Sequence, residues 1–141
     1  MASASPLAVP ITERVNGSAL RVLVVDDDAA VAAYFADCLM LEGCAVATAA
    51  DASTALLKLD SDTYDVVLCD ISMPGLDGVA FYRRLAEKRP DLLQRLVFIS
   101  GRPSAEIKAL LPGQNVRIVE KPVPVRVITA LVEEWRTHSY R

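Results

Sequence analysis

The sequence predicts an α/β protein built on a doubly wound five-stranded parallel sheet with helices on both faces. Two observations carry that expectation. Five short apolar runs, rich in β-branched residues, are continuous rather than alternating, as strands buried on both faces are. Each is followed by a stretch whose apolar residues recur at helical spacing, and alternating strand–helix units imply a parallel sheet. Five units make a three-layer sandwich and not a barrel, which needs eight.

The first strand is Arg21-Val22-Leu23-Val24-Val25, ending in Asp26-Asp27-Asp28. Val31, Phe35, Cys38 and Leu39 then share one helical face, and Gly43 is a C-terminal stop. Residues 45–49 form the second strand, followed by a small helix striped by Ala52, Leu56 and Leu59. The third strand, Asp65 to Cys69, delivers Asp70. The loop from Ser72 to Gly78 is dense in turn residues. A helix carrying Phe81, Leu85 and Lys88 follows, and Pro90 stops it. Leu96 to Ile99 is the fourth strand, ending at Ser100. Ser104 is the expected N-cap of a short helix with Ile107, Leu110 and Leu111 on its apolar face. Val116 to Val119 is the fifth strand, ending at Glu120-Lys121-Pro122. The last helix starts near Pro124 and is striped by Val125, Ile128, Val132 and Trp135. Residues 1–19, rich in Ser, Ala and Pro without a sustained period, read as a flexible N-terminal tail or linker, and residues 20–141 as one domain.

A chain of 141 residues, 52% apolar and 23% charged, is enough for one soluble globular domain with a full core. A net charge of -3 gives no electrostatic footprint for nucleic acid. No apolar run approaches the roughly 20 residues that span a bilayer. The N-terminus lacks the basic and apolar regions of a secretory signal, so the cytoplasm is the expected location, with no membrane partner. Cys38, Cys44 and Cys69 are odd in number and lack CxxC spacing. They read as small buried hydrophobes kept reduced, not as a disulfide framework or a zinc site.

In an open parallel α/β sheet, ligands bind outside the carboxyl ends of the strands. Here those ends carry Asp26-Asp27-Asp28, Asp70, Ser100 and Lys121. Clustered carboxylates repel one another unless a cation neutralises them. Mg²⁺ characteristically takes one or two carboxylates with waters and phosphate oxygens. A carboxylate, a hydroxyl, an ammonium and Mg²⁺ suit phosphoryl transfer, in which an aspartate can become the phosphorylated intermediate. Each residue alone has a plainer reading. Asp28 fits the N-cap of the first helix, Asp70 a loop start, Lys121 a surface lysine and Asp77 turn chemistry before Gly78. It is their coincidence at strand ends that points to a site.

These residues resemble the receiver domain of bacterial response regulators. The resemblance lies in Val24-Val25-Asp26-Asp27-Asp28, Asp70-Ile71-Ser72-Met73-Pro74-Gly75-Leu76-Asp77-Gly78, Ser100-Gly101 and Lys121-Pro122. It covers about residues 20–137 and implies the flavodoxin-like strand order 2-1-3-4-5. It also implies residue roles. Asp70 would be the phosphoacceptor, taking a phosphoryl group from a phosphohistidine on a histidine kinase or histidine phosphotransfer protein. Asp27 would bind Mg²⁺, with Asp26 alongside it, together with Asp70 and the Ser72 backbone carbonyl. Lys121 would pair with a phosphoryl oxygen. Ser100 would hydrogen-bond the phosphoryl group and draw the following loop inward, and Gly101 would leave room for the donor. The Lys121–Pro122 bond is usually cis in the family. Such a chain is a signalling switch, an enzyme only toward its own aspartyl phosphate.

Two positions depart from the family pattern. Ile118 stands where many receivers have Tyr or Phe, and Val123 replaces the usual Phe after Lys-Pro, while Arg102 lies where the family tunes phosphate lifetime. The single histidine, His138, reads as a solvated terminal residue, so the chain is expected to accept phosphoryl groups and not to donate them. Little sequence follows the last helix, so the expected readout is a downstream protein target or an upstream region of a longer parent. The wording also resembles receivers of hybrid histidine kinases. Two competing readings are a pseudo-receiver binding module and a haloacid-dehalogenase-like phosphohydrolase. Ala30 stands where the latter's D-x-D-x-[TV] motif needs Thr or Val.

Overall fold

The structure is a computed structural model and describes residues 19–71, 78–111 and 116–137. Strands and helices alternate as β1 (Arg21–Val25), α1 (Ala29–Leu41), β2 (Ala45–Ala49), α2 (Ala52–Ser61), β3 (Val66–Asp70), α3 (Gly78–Lys88), β4 (Leu96–Ser100), α4 (Ser104–Leu110), β5 (Arg117–Glu120) and α5 (Val125–Thr137). Every strand pair is parallel, in the order β2-β1-β3-β4-β5. This is the doubly wound, flavodoxin-like sheet expected from the sequence.

The continuous apolar runs are explained by burial on both faces. β3 and β4 are buried at every position. Side chains alternate across each strand. Leu23, Val67, Cys69 and Phe98 therefore face one layer, where they meet Leu59, Phe81, Leu85 and Ile107. Val22, Val24, Leu68 and Ile99 face the other, against Phe35, Leu39, Ile128 and Trp135. So α1 and α5 cover one face, while α2, α3 and α4 cover the other. The edge strands β2 and β5 are more exposed. Among the described residues, no helix is long and apolar enough to cross a membrane.

Local chemistry sets the helix ends. Asp28 caps α1, its carboxylate accepting from the Ala30 and Val31 N–H groups at 3.0 and 3.2 Å. Asp51 caps α2 through the Thr54 N–H at 2.7 Å. Past the end of α1, Gly43 takes φ +88°, the left-handed conformation that a side chain disfavours.

Several expectations are corrected. Ser104 is the first residue of α4 and not its cap; Pro103 holds the cap position, and no side chain there bonds the helix. The Ser104 N–H is instead satisfied by the Glu120 carboxylate at 2.8 Å. Leu110 is 46% exposed, because the two turns of α4 meet the core through Ile107 and Leu111. Val125 is 54% exposed, because it opens α5 ahead of the seam formed by Ile128, Leu131, Val132 and Trp135. β5 sits one residue later than its apolar run suggests, and β3 includes Asp70. Pro90 does end the α3 stretch, and it starts a 3-10 helix, Pro90–Arg95. The expected roles of Ser72, Asp77, His138 and the tail at 1–18 lie outside the described residues.

Candidate functional site

The site grows from the centre of the sheet. β1 and β3 are neighbours, with Val25 paired to Cys69. The next residues, Asp26 and Asp70, therefore leave the sheet side by side. Both are buried, at 4% and 6% exposure. Burial is the largest influence on the Asp26 carboxyl and raises its pKa above the ordinary value. The hydrogen bond from the Asp28 N–H, at 2.9 Å, opposes this. The negative charges of Asp70 and Asp27 raise it further, and the Lys121 ammonium lowers it. Asp27 is exposed. The aspartate triplet is thus divided into one buried carboxylate, one exposed carboxylate and one helix cap.

Lys121 arrives from two strands away. Its backbone N–H donates to the Ser100 carbonyl at 2.7 Å, continuing the β4–β5 ladder. Its Nζ reaches back over β4 and donates to Asp70 Oδ2 at 2.6 Å. The Lys121–Pro122 peptide is cis. Just beyond it the Tyr34 hydroxyl, from α1, donates to the Val123 carbonyl at 2.8 Å. Ser100 is fully buried; its Oγ donates to the Arg102 carbonyl at 3.0 Å and accepts from the Arg102 N–H at 2.9 Å. The hydroxyl is therefore engaged with its own loop.

Two glycines shape the surroundings. A Cβ on Gly78 would lie 2.5 Å from Ile71 Cγ1 and 2.8 Å from Ile71 Cα, so only glycine lets α3 start this close to the residue after Asp70. A Cβ on Gly101 would meet nothing within 4 Å. Gly101 lines an open apolar cleft of about 450 Å³ with Val31, Tyr34, Phe35, Lys121, Pro122 and Val123. Lys121, whose ammonium bonds Asp70, is thus also part of the wall of this cleft.

The Asp26 carboxylate feels the negative charges of Asp70 and Asp27 and a single positive one, that of Lys121. That excess of negative charge fits a divalent cation. Among the described residues, no three acidic, His or Cys side chains form a ready-made cage. Asp26, Asp27 and Asp70 are of the type that could hold a hydrated Mg²⁺, which keeps several waters beside one or two carboxylates. Of the two departures, Ile118 is half-buried against the α4 side of the core and Val123 is buried; Arg102 is exposed.

The structure thus brings Asp26, Asp27, Asp70, Ser100 and Lys121 to one edge, as their strand-end positions suggest. Sequence reasoning missed Glu120, Tyr34 and the steric need for Gly78. The first two act across 16 and 89 residues, which no local pattern reports.

Comparison with known proteins gives the same picture. The family model of the response regulator receiver domain matches residues 22–133. The transcriptional regulatory protein PrrA of Mycobacterium tuberculosis is 48% identical over 115 residues, covering 80% of this chain and 48% of PrrA. A gliding motility regulatory protein of Myxococcus xanthus is 30% identical over 135 residues, covering 94% of this chain and 17% of its own length. The chain thus spans less than half the length of these curated relatives. The crystal structure of the receiver domain of NtrX from Brucella abortus superposes with a TM-score of 0.70 at 30% identity, covering 84% of this chain and 99% of that one. Chemotaxis response regulator CheY4 of Vibrio cholerae has a TM-score of 0.73 at 23% identity, covering 84% and 99%, and speaks for the fold alone. With its strand order, its strand-end residues and the family match over residues 22–133, the chain belongs to the response regulator receiver domain family, the signalling module of two-component systems.

Proposed function

We propose that residues 20–141 form a phosphoacceptor receiver domain, following a tail or linker at 1–19, and that Asp70 is the residue phosphorylated. One contact carries this reading: the buried Asp70 carboxylate, next to Asp26, accepts from the Lys121 ammonium at 2.6 Å. A structural aspartate has no need for two further carboxylates nearby. A phosphoacceptor that must gather counter-charge does.

The donor is a phosphohistidine on a histidine kinase or histidine phosphotransfer protein. An Asp70 oxygen attacks the phosphorus, forming the oxygen–phosphorus bond. The phosphorus–nitrogen bond breaks, and the imidazole leaves with the electron pair and takes a proton from water. Lys121 stays beside Asp70 and neutralises charge on the transferred group. A Mg²⁺ held by Asp26, Asp27 and Asp70, with the Ser72 carbonyl, would supply the remaining positive charge. Phosphorylation adds roughly -1.5 to -2 charges and three acceptor oxygens. Ser100 answers by turning its hydroxyl from the Arg102 carbonyl to the phosphoryl group, which moves the β4–α4 loop. The readout is a changed protein–protein contact in the cytoplasm. With a net charge of -3, the chain carries no excess positive charge to draw it to nucleic acid.

The test is intact-mass analysis after incubation with Mg²⁺ and acetyl phosphate. A single phosphate adduct is expected on the wild type and none on Asp70→Asn. If a known receiver gains the adduct and this chain does not, the pseudo-receiver reading replaces this one.

A further inference from the structure

At the end of the sheet, Ser100 and Glu120 are register partners on β4 and β5. Between them they hold the start of the β4–α4 segment. The Ser100 hydroxyl bonds both backbone groups of Arg102, and the Glu120 carboxylate accepts from the Ser104 N–H at 2.8 Å. No side chain at the Pro103 cap position does this work. The next residue after Glu120 is Lys121, whose backbone bonds Ser100 and whose ammonium bonds Asp70. One short stretch of β5 therefore touches both the reacting carboxylate and the first turn of α4.

From this juxtaposition we infer that Glu120 is a positioning residue that transmits the state of Asp70 to α4. The inference rests on Asp70 being phosphorylated, and deepens that reading by naming the route out of the site. When Ser100 leaves the Arg102 carbonyl, residues 101–103 lose an anchor to the end of β4. With the Glu120 anchor intact, α4 stays tied to the end of β5, so the loop's displacement is passed to the helix. Without it, the loop absorbs the displacement and α4 does not follow. Ile118 supplies no polar group for the task, so the connection from β5 to α4 runs through a carboxylate rather than an aromatic side chain.

The experiment compares wild type, Glu120→Ala and Glu120→Gln by backbone amide NMR with and without Mg²⁺ and acetyl phosphate, with intact mass read in parallel. Gln keeps an acceptor oxygen for the Ser104 N–H, and Ala does not. All three proteins are expected to gain the adduct to within about twofold. The phosphorylation-induced shifts of Ser104 to Leu110 should fall by at least half in Glu120→Ala and be largely restored in Glu120→Gln. A purely structural cap would change the resting spectrum and thermal stability but leave the induced shifts intact. If the adduct forms and the α4 shifts in Glu120→Ala match wild type, the inference is overturned while phosphorylation at Asp70 stands. If wild type gains no adduct, both fall.

Discussion

The Nζ of Lys121 lies 2.6 Å from Oδ2 of Asp70, although β4 lies between their strands and they are 51 residues apart in sequence. The contact joins a half-exposed ammonium to a carboxylate with 6% exposure. Asp70 cannot turn to solvent, and it faces the charge of Asp26. Lys121→Ala removes this charge-assisted hydrogen bond and should therefore lower stability by about 1.5–3 kcal/mol. Asp70→Asn removes one of the clustered negative charges. In EDTA it should be at least as stable as wild type while losing all phosphate uptake, so function here opposes stability. Urea melts of the three proteins, with intact mass alongside, check both outcomes.

Mg²⁺ should stabilise the folded protein through the same charge excess. A ligand at ten times its Kd that binds only the native state adds about 1.4 kcal/mol. The wild-type melting temperature should rise with Mg²⁺, and the rise should be much smaller in Asp27→Ala and Asp70→Asn. An equal rise in all three would place the ion elsewhere.

Asp28 should behave differently from its two neighbours. Its side chain bonds the Ala30 and Val31 amides. Asp28→Ala should cost about 1 kcal/mol, and Asp28→Asn much less, because Asn is as good an N-cap. Mg²⁺ affinity in Asp28→Asn should stay within severalfold of wild type. A large loss there would make Asp28 a metal ligand.

The three thiols should be inert in the folded protein. Cys38, Cys44 and Cys69 are unpaired and 8%, 6% and 0% exposed. Burial pushes the Cys44 thiol pKa up against the pull of Arg136, and holds that of Cys69 far above its ordinary value. A raised pKa keeps the thiol protonated at pH 8, and the thiolate is the reactive form. Iodoacetamide at pH 8 should leave the native chain unmodified and add three groups in urea.

Most of the sheet and the candidate site were legible because both depend on local signals. A β-branched run that stops at an aspartate marks a strand end whatever surrounds it, so Asp26, Asp70 and Ser100 fell into place together. Asp28 was legible as a cap because its partners are two and three residues away. Ser104 misled for the complementary reason. It is a good cap residue by type, but Glu120, 16 residues later, binds its N–H and Ser104 becomes the first residue of α4. Leu110 and Val125 fit an apolar stripe on paper, yet short helices and first turns present only part of such a stripe to the core. The Tyr34 bond to the Val123 carbonyl depends on α1 and α5 sharing one face of the sheet, which no pattern within either segment reports.

Gly78 gives the most direct test that the start of α3 is fitted to the site. It is the first residue of α3 and its φ is not left-handed, so conformational freedom is not why glycine stands there. The reason is space. A Cβ would sit 2.5 Å from Ile71 Cγ1 and 2.8 Å from its backbone Cα, and the latter cannot rotate away. Ile71 is fixed in turn by its N–H donating to the Ile99 carbonyl at 3.0 Å, so the strain passes to the end of β3. Gly78→Ala should therefore destabilise the fold by about 1–3 kcal/mol, as overpacking does. That should happen despite alanine's better helix propensity, which alone would add about 1 kcal/mol of stability. Because Asp70 immediately precedes Ile71, the rate of adduct formation with acetyl phosphate should fall as well. Urea denaturation and timed intact mass measure the two effects. A stabilised Gly78→Ala with an unchanged rate would show that α3 stands further from Ile71 than these contacts require.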